Sequence, residues 1–139
     1  MEHLVESHLG GYYVSSLDEE IITKYCEECG DSDWIVLSWE EGQMMEALSN
    51  YFSKPVTTRK VIEDELKAGI TKPEAINNIL YSYDKDRYLI EYLFYEKIID
   101  EEDKNKLMKI NHQTRKSMIS LVCEIYPKKV KKKSLRKED

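Results

Sequence analysis

The sequence predicts an α+β fold that is mainly α-helical, in which a small strand–helix–strand unit packs on a bundle of about five helices. Three observations support this prediction. Five glycines and three prolines in 139 residues leave little room for long loops. Apolar residues after position 40 recur at helical spacing. Two short segments before position 40 are instead rich in β-branched and aromatic residues, which favour strands.

The first forty residues contain two predicted strands. Residues 1–9 form either a short strand or a loop, and Tyr12–Val14 is a good strand nucleus after the break at Gly10–Gly11. Residues 33–39 are apolar at most positions and include two tryptophans and two β-branched residues. This second segment is therefore predicted to be a strand with partial burial on both faces.

A short helix is predicted between these strands, over residues 17–26. Ser16 and Glu19 have the spacing of a capping box, with Ser16 as the N-cap and Glu19 at the third helical position. The apolar residues of this helix also recur at helical spacing. They are Leu17, Ile21, Ile22 and Tyr25.

The remaining chain is predicted to be helical, and local signals define most helix ends. The predicted helices cover residues 40–52, about 58–68, Lys72 to Tyr83, 88–99 and about 101–126, with Asp84–Asp86 as a turn or a continuation. The predicted caps are Thr57 or Thr58, the Thr71–Glu74 capping box and Asp100, and Gly69 suits a left-handed C-cap. Six aromatic residues are expected to lie mostly in the core, with some tyrosines left for a partner surface: Tyr81, Tyr83, Tyr88, Tyr92, Phe94 and Tyr95.

The predicted domain organisation is a single globular domain over residues 1–127. Its first part is an acidic head, residues 1–39, and the rest is a helical body, residues 40–127. Residues 128–139 are basic and of low complexity, and we expect this tail to be disordered. No internal repeat is visible.

The net charge of −6 conceals a gradient along the chain. Residues 1–50 carry twelve acidic side chains and one lysine, residues 51–127 carry thirteen of each sign, and residues 128–139 carry seven basic and two acidic side chains. An acidic head repels nucleic-acid phosphates and attracts basic protein surfaces, although such acids also simply keep a small protein soluble. The expected contact acids are Asp18, Glu19, Glu20, Glu27, Glu28, Asp31 and Asp33.

A zinc site is predicted in the head. Cys26 and Cys29 have two residues between them and precede a glycine, which is the spacing of a zinc knuckle. His3 and His8 are the nearest candidates to complete a Cys2His2 set, and His8 is favoured because the glycines behind it allow a tight turn. Four protein ligands would leave no open position for water, so the predicted zinc is structural.

The cysteine pair is also compatible with two roles that need no metal. The thiols can be plain buried cysteines, or they can form a redox pair. Cys26 falls at a helix C-terminus among acidic residues, however, which should raise its pKa and does not suit redox chemistry. The remaining pair, His112 and Cys123, lies roughly 16 Å apart along one predicted helix and cannot share an ion.

Residues 61–80 have the layout of a helix-turn-helix, with two helices around Gly69 to Thr71. Lys72, Asn77 and Asn78 would be available for base contacts. Any αα-hairpin has the same pattern, and the acidic side chains around it oppose phosphate binding. DNA binding by a small phage or mobile-element regulator is therefore the alternative function.

The first forty residues resemble a known class of inhibitors. The resemblance rests on the acidic body, the size, residues 7–13 (SHLGGYY) and residues 25–34 (YCEECGDSDW). In these features the chain is similar to small proteins of Gram-positive phages and mobile elements, and in particular to zinc-containing type II-A anti-CRISPR proteins, which inhibit Cas9. The resemblance implies a stoichiometric inhibitor that docks on a basic surface of Cas9 and hinders DNA loading or cleavage.

The sequence therefore predicts a monomeric, non-enzymatic protein in the cytoplasm of a bacterial host cell. It contains no phosphate-binding loop, nucleophile elbow or HExxH motif. No secretory signal and no membrane span are expected. Three cysteines suit a reducing compartment. The expected partner is a protein with a basic surface, with Cas9 as the suspected one and without direct nucleic-acid binding.

Overall fold

The computed structural model describes residues 1–7, 11–28 and 35–126, and for Ser7 and residues 26–28 it describes the backbone alone. The described chain has three strands and five helices, so the mainly α-helical α+β prediction is confirmed. In order they are β1 (Glu2–Ser7), β2 (Gly11–Ser15), α1 (Glu19–Glu28), β3 (Ile35–Trp39), α2 (Met44–Ser53), α3 (Arg59–Lys67), α4 (Lys72–Tyr95) and α5 (Glu101–Ile125).

The three strands form one sheet in which β1 is the central strand. β1 pairs antiparallel with both neighbours, so β2 and β3 run in the same direction and α1 connects them. The β1–β2 register is regular and sets Val5 opposite Tyr13. The β1–β3 register shifts between Leu4 and Val5. Because neighbouring residues of a strand point to opposite faces, Leu4 and Val5 belong to different faces of the sheet.

The chain forms two compact units. The first contains Met1–Lys54 and Asp86–Asn111, and the second contains Pro55–Lys85 and the chain from His112 onward. α4 and α5 therefore each contribute residues to both units. The predicted single domain and its division into head and body stay predictions.

The sheet of the first unit is covered on both faces. Leu4 is 1% exposed and belongs to an apolar core with side chains from β3, α2, α4 and α5. Val5 is fully buried on the opposite face, where it packs with Ile22 of α1 and Ile35 of β3. A hydrogen bond of 2.6 Å from Trp39 Nε1 to Glu2 Oε1 adds a polar contact between β3 and β1.

The second unit is built around an α3–α4 hairpin, and local chemistry sets both helix ends. Thr58 caps α3, since its hydroxyl accepts a hydrogen bond from the Val61 N–H. α3 ends in a Schellman motif: Gly69 has φ +91, its N–H bonds the Leu66 carbonyl, and the Ile70 N–H bonds the Glu65 carbonyl. The predictions of Thr58 as one possible cap and of Gly69 as the C-cap are confirmed.

α4 begins at the predicted capping box. The Thr71 N–H donates to Glu74 Oε1 at 2.9 Å, and the Glu74 N–H donates to Thr71 Oγ1 at 3.3 Å. Behind this start, buried side chains of α3, α4 and α5, with the residue directly after α5, form the core of the unit. They are Ile62, Ala75, Ile79, Tyr83, Val122 and Tyr126.

Within residues 40–127, the predicted bounds of two helices are wrong. The helix predicted from residue 40 begins at Met44, because Gly42 takes a left-handed φ of +82 and the Gln43 N–H bonds the Glu40 carbonyl in a turn. The helix predicted over 88–99 ends at Tyr95 and is the second part of α4, since Asp84–Asp86 continue the helix. Among the described residues, no helix combines the length and apolar character needed to cross a membrane.

Candidate protein-docking site

α1 begins at Glu19 with Asp18 as its N-cap residue, so the predicted Ser16 cap is wrong. The Asp18 carbonyl accepts the first helical hydrogen bonds, from the Ile21 N–H at 3.0 Å and the Ile22 N–H at 3.1 Å. Ser15 Oγ accepts the Leu17 N–H at 3.1 Å and ties the chain to the end of β2. The capping-box spacing is present in the sequence, but the helix starts two residues later than it indicates.

The apolar residues of α1 divide between a buried and an exposed face. Ile22 is 4% exposed because it packs on the sheet. Leu17, Ile21 and Tyr25 are 57%, 53% and 54% exposed. Ile21 and Tyr25 lie four residues apart and share one face of the helix, and Leu17 comes directly before the N-cap residue Asp18. We call these three exposed residues the α1 stripe.

β2 adds two more exposed apolar side chains, one on each face of the sheet. Tyr13 is 41% exposed and lies on the Val5 face of the sheet, the face that α1 covers. Val14 is 37% exposed on the other face. No β2 residue belongs to the Val5–Ile22 cluster, so α1 packs over β1 and β3 and leaves β2 less covered.

Acidic side chains border the α1 stripe at its N-terminal end. Asp18, Glu19 and Glu20 are all exposed, and the two glutamates occupy the first turn, where they interact favourably with the helix dipole. Among the other predicted contact acids, Glu27 and Glu28 lie in the last turn of α1, with only their backbone described. Asp31 and Asp33 lie outside the described residues.

The predicted metal ligands are only partly described. Among the described residues, no three His, Cys, Asp or Glu side chains form a group that could hold a metal ion. His8 and Cys29 lie outside that part of the chain, and for Cys26 the backbone alone is described. The zinc site therefore stays a prediction.

His3 is the one predicted ligand whose side chain is described. It is 3% exposed, and its Nδ1 lies 2.6 Å from Ser38 Oγ on the neighbouring strand. His3 pairs with Ser15, at the end of the sheet where the chain enters α1, whereas Cys26 lies in the last helical turn, one turn beyond Ile22. The His3 imidazole thus already has a hydrogen-bond partner within the sheet.

The third histidine, His112, and the third cysteine, Cys123, both lie in α5. His112 Nδ1 lies 2.9 Å from a guanidinium nitrogen of Arg115, one turn later in α5. Cys123 is a half-buried free thiol eleven residues further along the same helix. Nothing in this placement suggests a second site.

The predicted helix-turn-helix layout is present in the second unit, as the α3–α4 hairpin. Asn77 and Asn78 are exposed and Lys72 is half-buried. Exposed Glu74 lies on the same first turns of α4, and its pKa is lowered by the hydrogen bonds that it accepts from Thr71. A negative charge is thus fixed where a DNA-reading helix would approach phosphates.

The expectation that the α4 aromatic residues lie mostly in the core is wrong. Tyr83 is 1% exposed, but Tyr88, Tyr92 and Tyr95 of the first unit are 61%, 45% and 76% exposed, and Tyr81 of the second is 67% exposed. Helical spacing indicates a shared face without saying which face is buried. Tyr92 also packs edge-on against Tyr12 of β2, with 5.6 Å between ring centroids. Within the first unit, Tyr88, Tyr92 and Tyr95 form a second exposed aromatic surface.

Comparisons with known proteins give no identification. No family model, no curated protein and no solved structure matches this chain.

Proposed function

We propose that this protein is a non-enzymatic binding protein whose α1 docks onto a basic, partly apolar surface of a protein partner. The observation that carries the proposal is the exposed α1 stripe, Leu17, Ile21 and Tyr25, next to the exposed acids Asp18, Glu19 and Glu20. An apolar strip with a polar margin is the usual composition of a protein interface.

The two parts of this surface would act on different steps of binding. Full burial of an apolar side chain of this size contributes about 1.5–3 kcal/mol, so the α1 stripe would supply affinity. The acids would increase the rate of association with a basic partner and make that rate sensitive to salt. Affinity should therefore depend mainly on the stripe, and salt dependence mainly on the acids.

The partner that we propose is Cas9, on the sequence resemblance to anti-CRISPR proteins. Cas9 holds its guide–target duplex in a positively charged channel, which an acidic protein could enter. Docking there would hinder DNA loading or cleavage. The same proposal places the protein in the bacterial cytoplasm, where Cas9 acts, and treats it as a monomer.

Inhibition of Cas9 cleavage tests the proposal. We expect near-equimolar protein to block cleavage of a target DNA, and unchanged cleavage in a large excess would exclude Cas9. The double variant Glu19→Lys, Glu20→Lys should weaken inhibition, most strongly at low salt. The matched control reverses two exposed acids of α3, Glu63→Lys and Asp64→Lys, and should leave inhibition unchanged.

A structural zinc ion is part of the proposal, with Cys26, Cys29 and His8 as ligands and the fourth ligand left open, since His3 already has Ser38 as its partner. Such an ion would hold together the part of the chain where α1 ends, since metal binding contributes directly to folding. Elemental analysis should find about one zinc per chain. Cys26→Ala should remove the zinc and destabilise the protein, whereas Cys123→Ala should do neither. Purified protein without metal and with freely titrating thiols would exclude the site.

DNA binding through the α3–α4 hairpin is the second candidate function. The Gly69 turn and the exposed Asn77 and Asn78 favour it, while fixed negative charge at Glu74 opposes it. A gel-shift assay on phage and host DNA at moderate salt distinguishes the two functions. Binding that is lost in Asn77→Ala but kept in Ile21→Ser would support a DNA regulator over a protein inhibitor.

A further inference from the structure

We propose that the partner supplies an extended segment that pairs with the open edge of β2, so that the sheet has four strands in the complex. This inference rests on the proposed function and names its binding mode. The segment would be apolar at its centre and basic at both ends.

The outer edge of β2 is a regular template for such pairing. Among the described residues, no strand pairs with this edge, and β2 follows β1 over its whole length without a register shift. Protected edge strands usually carry proline, lysine or a bulge, and β2 (GYYVS) contains none of these. β3 forms the other edge, but all five of its residues are buried or half-buried.

Exposed apolar side chains lie on both faces of the sheet beside this edge. Tyr13 lies on the Val5 face of the sheet, the face that α1 covers. Val14 lies on the opposite face. An added strand sends alternate side chains to the two faces, so one extended segment could cover both residues. A docked helix would cover one face only and would leave the backbone edge unpaired.

Acidic side chains stand at both ends of β2. Beyond Ser15 come Asp18 and Glu19, both exposed. At the other end the Glu96 carboxylate lies 3.8 Å from where a Gly11 side chain would begin. Lysine or arginine at each end of the segment would meet these carboxylates. Charge complementarity thus favours a basic–apolar–basic segment over an acidic one.

A synthetic peptide tests the inference directly. The probe has alternating valine and threonine at its centre and lysines at both ends, and its binding is followed by fluorescence anisotropy and by hydrogen exchange of β2 amides. We expect binding that slows exchange at outward β2 amides. Methylating two backbone nitrogens on the paired edge of the peptide should weaken binding by about tenfold, because two ladder hydrogen bonds are lost.

Variants of the protein provide matched controls. Val14→Lys at the edge should weaken binding of the lysine-ended probe several-fold, because it removes the apolar side chain that the centre of the probe would cover and adds a charge of the same sign as the probe's lysines. Val61→Lys, at an exposed apolar position of α3, should leave it unchanged. Absence of binding, unchanged β2 exchange, or equal affinity for the methylated peptide would each overturn the inference.

Exchange measured with Cas9 separates this inference from the proposed function. If Cas9 binds and requires the α1 stripe while β2 amides exchange as in the free protein, the edge-pairing mode is wrong and the proposed function stands. If the probe protects β2 but Cas9 does not bind, the edge is a binding site and Cas9 is not its partner.

Discussion

At the residue scale, the His3–Ser38 pair shows a polar contact that the sequence does not reveal. His3 is 3% exposed and its Nδ1 lies 2.6 Å from Ser38 Oγ. The two residues are thirty-five positions apart, and only the β1–β3 register brings them together. The metal-ligand pattern suggested His3 as a ligand, but a buried, hydrogen-bonded imidazole has a sufficient structural role without an ion.

Substitution of His3 and Ser38 tests this role. Ser38→Ala should lower the free energy of unfolding by about 1–3 kcal/mol, because it leaves a buried imidazole nitrogen without its partner. His3→Gln should destabilise the protein without changing its zinc content. Chemical denaturation and elemental analysis measure the two effects. Loss of zinc in His3→Gln would restore His3 to the ligand set.

The Thr71–Glu74 capping box predicts a pH effect with a definite sign. Hydrogen bonds from Thr71 lower the pKa of Glu74 in the folded protein. The resulting stabilisation is fully present above the ordinary glutamate pKa and is lost as pH falls through the lowered folded value. In Glu74→Gln this part of the pH dependence should disappear, as measured by unfolding at a series of acidic pH values. If Glu74→Gln unfolds with the same pH dependence as the native protein, the Thr71–Glu74 hydrogen bonds are not the cause of that dependence.

At the element scale, the C-terminal ends of α3 and α4 show why one helix end could be predicted from the sequence and the other could not. α3 ends at Gly69, and α4 ends in the same motif, with Lys97 at φ 61 in the left-handed position. The Lys97 N–H bonds the Phe94 carbonyl and the Ile98 N–H bonds the Leu93 carbonyl. Glycine signals such an end and lysine does not, so the predicted helix ran on to Ile99.

Lys97→Gly should therefore stabilise the protein. Relief of the left-handed strain on a residue with a β-carbon is worth about 1 kcal/mol. The matched substitution Gly69→Ala should destabilise by a similar amount, since it introduces the same strain. Thermal unfolding measures both. A destabilised Lys97→Gly variant would show that the lysine side chain makes a contact worth more than the strain.

The loss of stability on substituting a tyrosine of α4 should depend on how deeply that side chain is buried. Tyr83 is 1% exposed and its hydroxyl accepts a hydrogen bond from the Val56 N–H at 3.2 Å. Tyr83→Phe should cost about 1 kcal/mol. Tyr95→Ser, at a position 76% exposed, should change the free energy of unfolding by less than about 0.5 kcal/mol. A clearly larger loss in the free energy of unfolding of Tyr95→Ser would contradict this, because it would mean that the Tyr95 side chain makes a stabilising contact.

At the scale of the whole molecule, the sequence predicted the fold class and most elements because periodicity and caps are local signals. Phe52 and Leu107 lie in the core as their helical spacing indicates. The docking surface could not be predicted, because exposed Leu17 and Ile21 belong to the same helical pattern of apolar residues as buried Ile22. The pattern alone does not tell which of them are exposed. Exposure depends on which elements cover α1 and β2, and that follows from strand order and register.

The central claim, docking through α1, is tested most directly by Cas9 affinity of the variant Leu17→Ser, Ile21→Ser, Tyr25→Ser. Its control is Tyr88→Ser, Tyr92→Ser, Tyr95→Ser, which removes as many exposed apolar side chains from α4. Both variants must first show the unfolding transition of the native protein. Binding by surface plasmon resonance should then fall at least about a hundredfold in the α1 variant, since about 3 kcal/mol or more of apolar burial is lost. The control should bind like the native protein. Native affinity in the α1 variant, or an equal loss in the control, would contradict docking through α1.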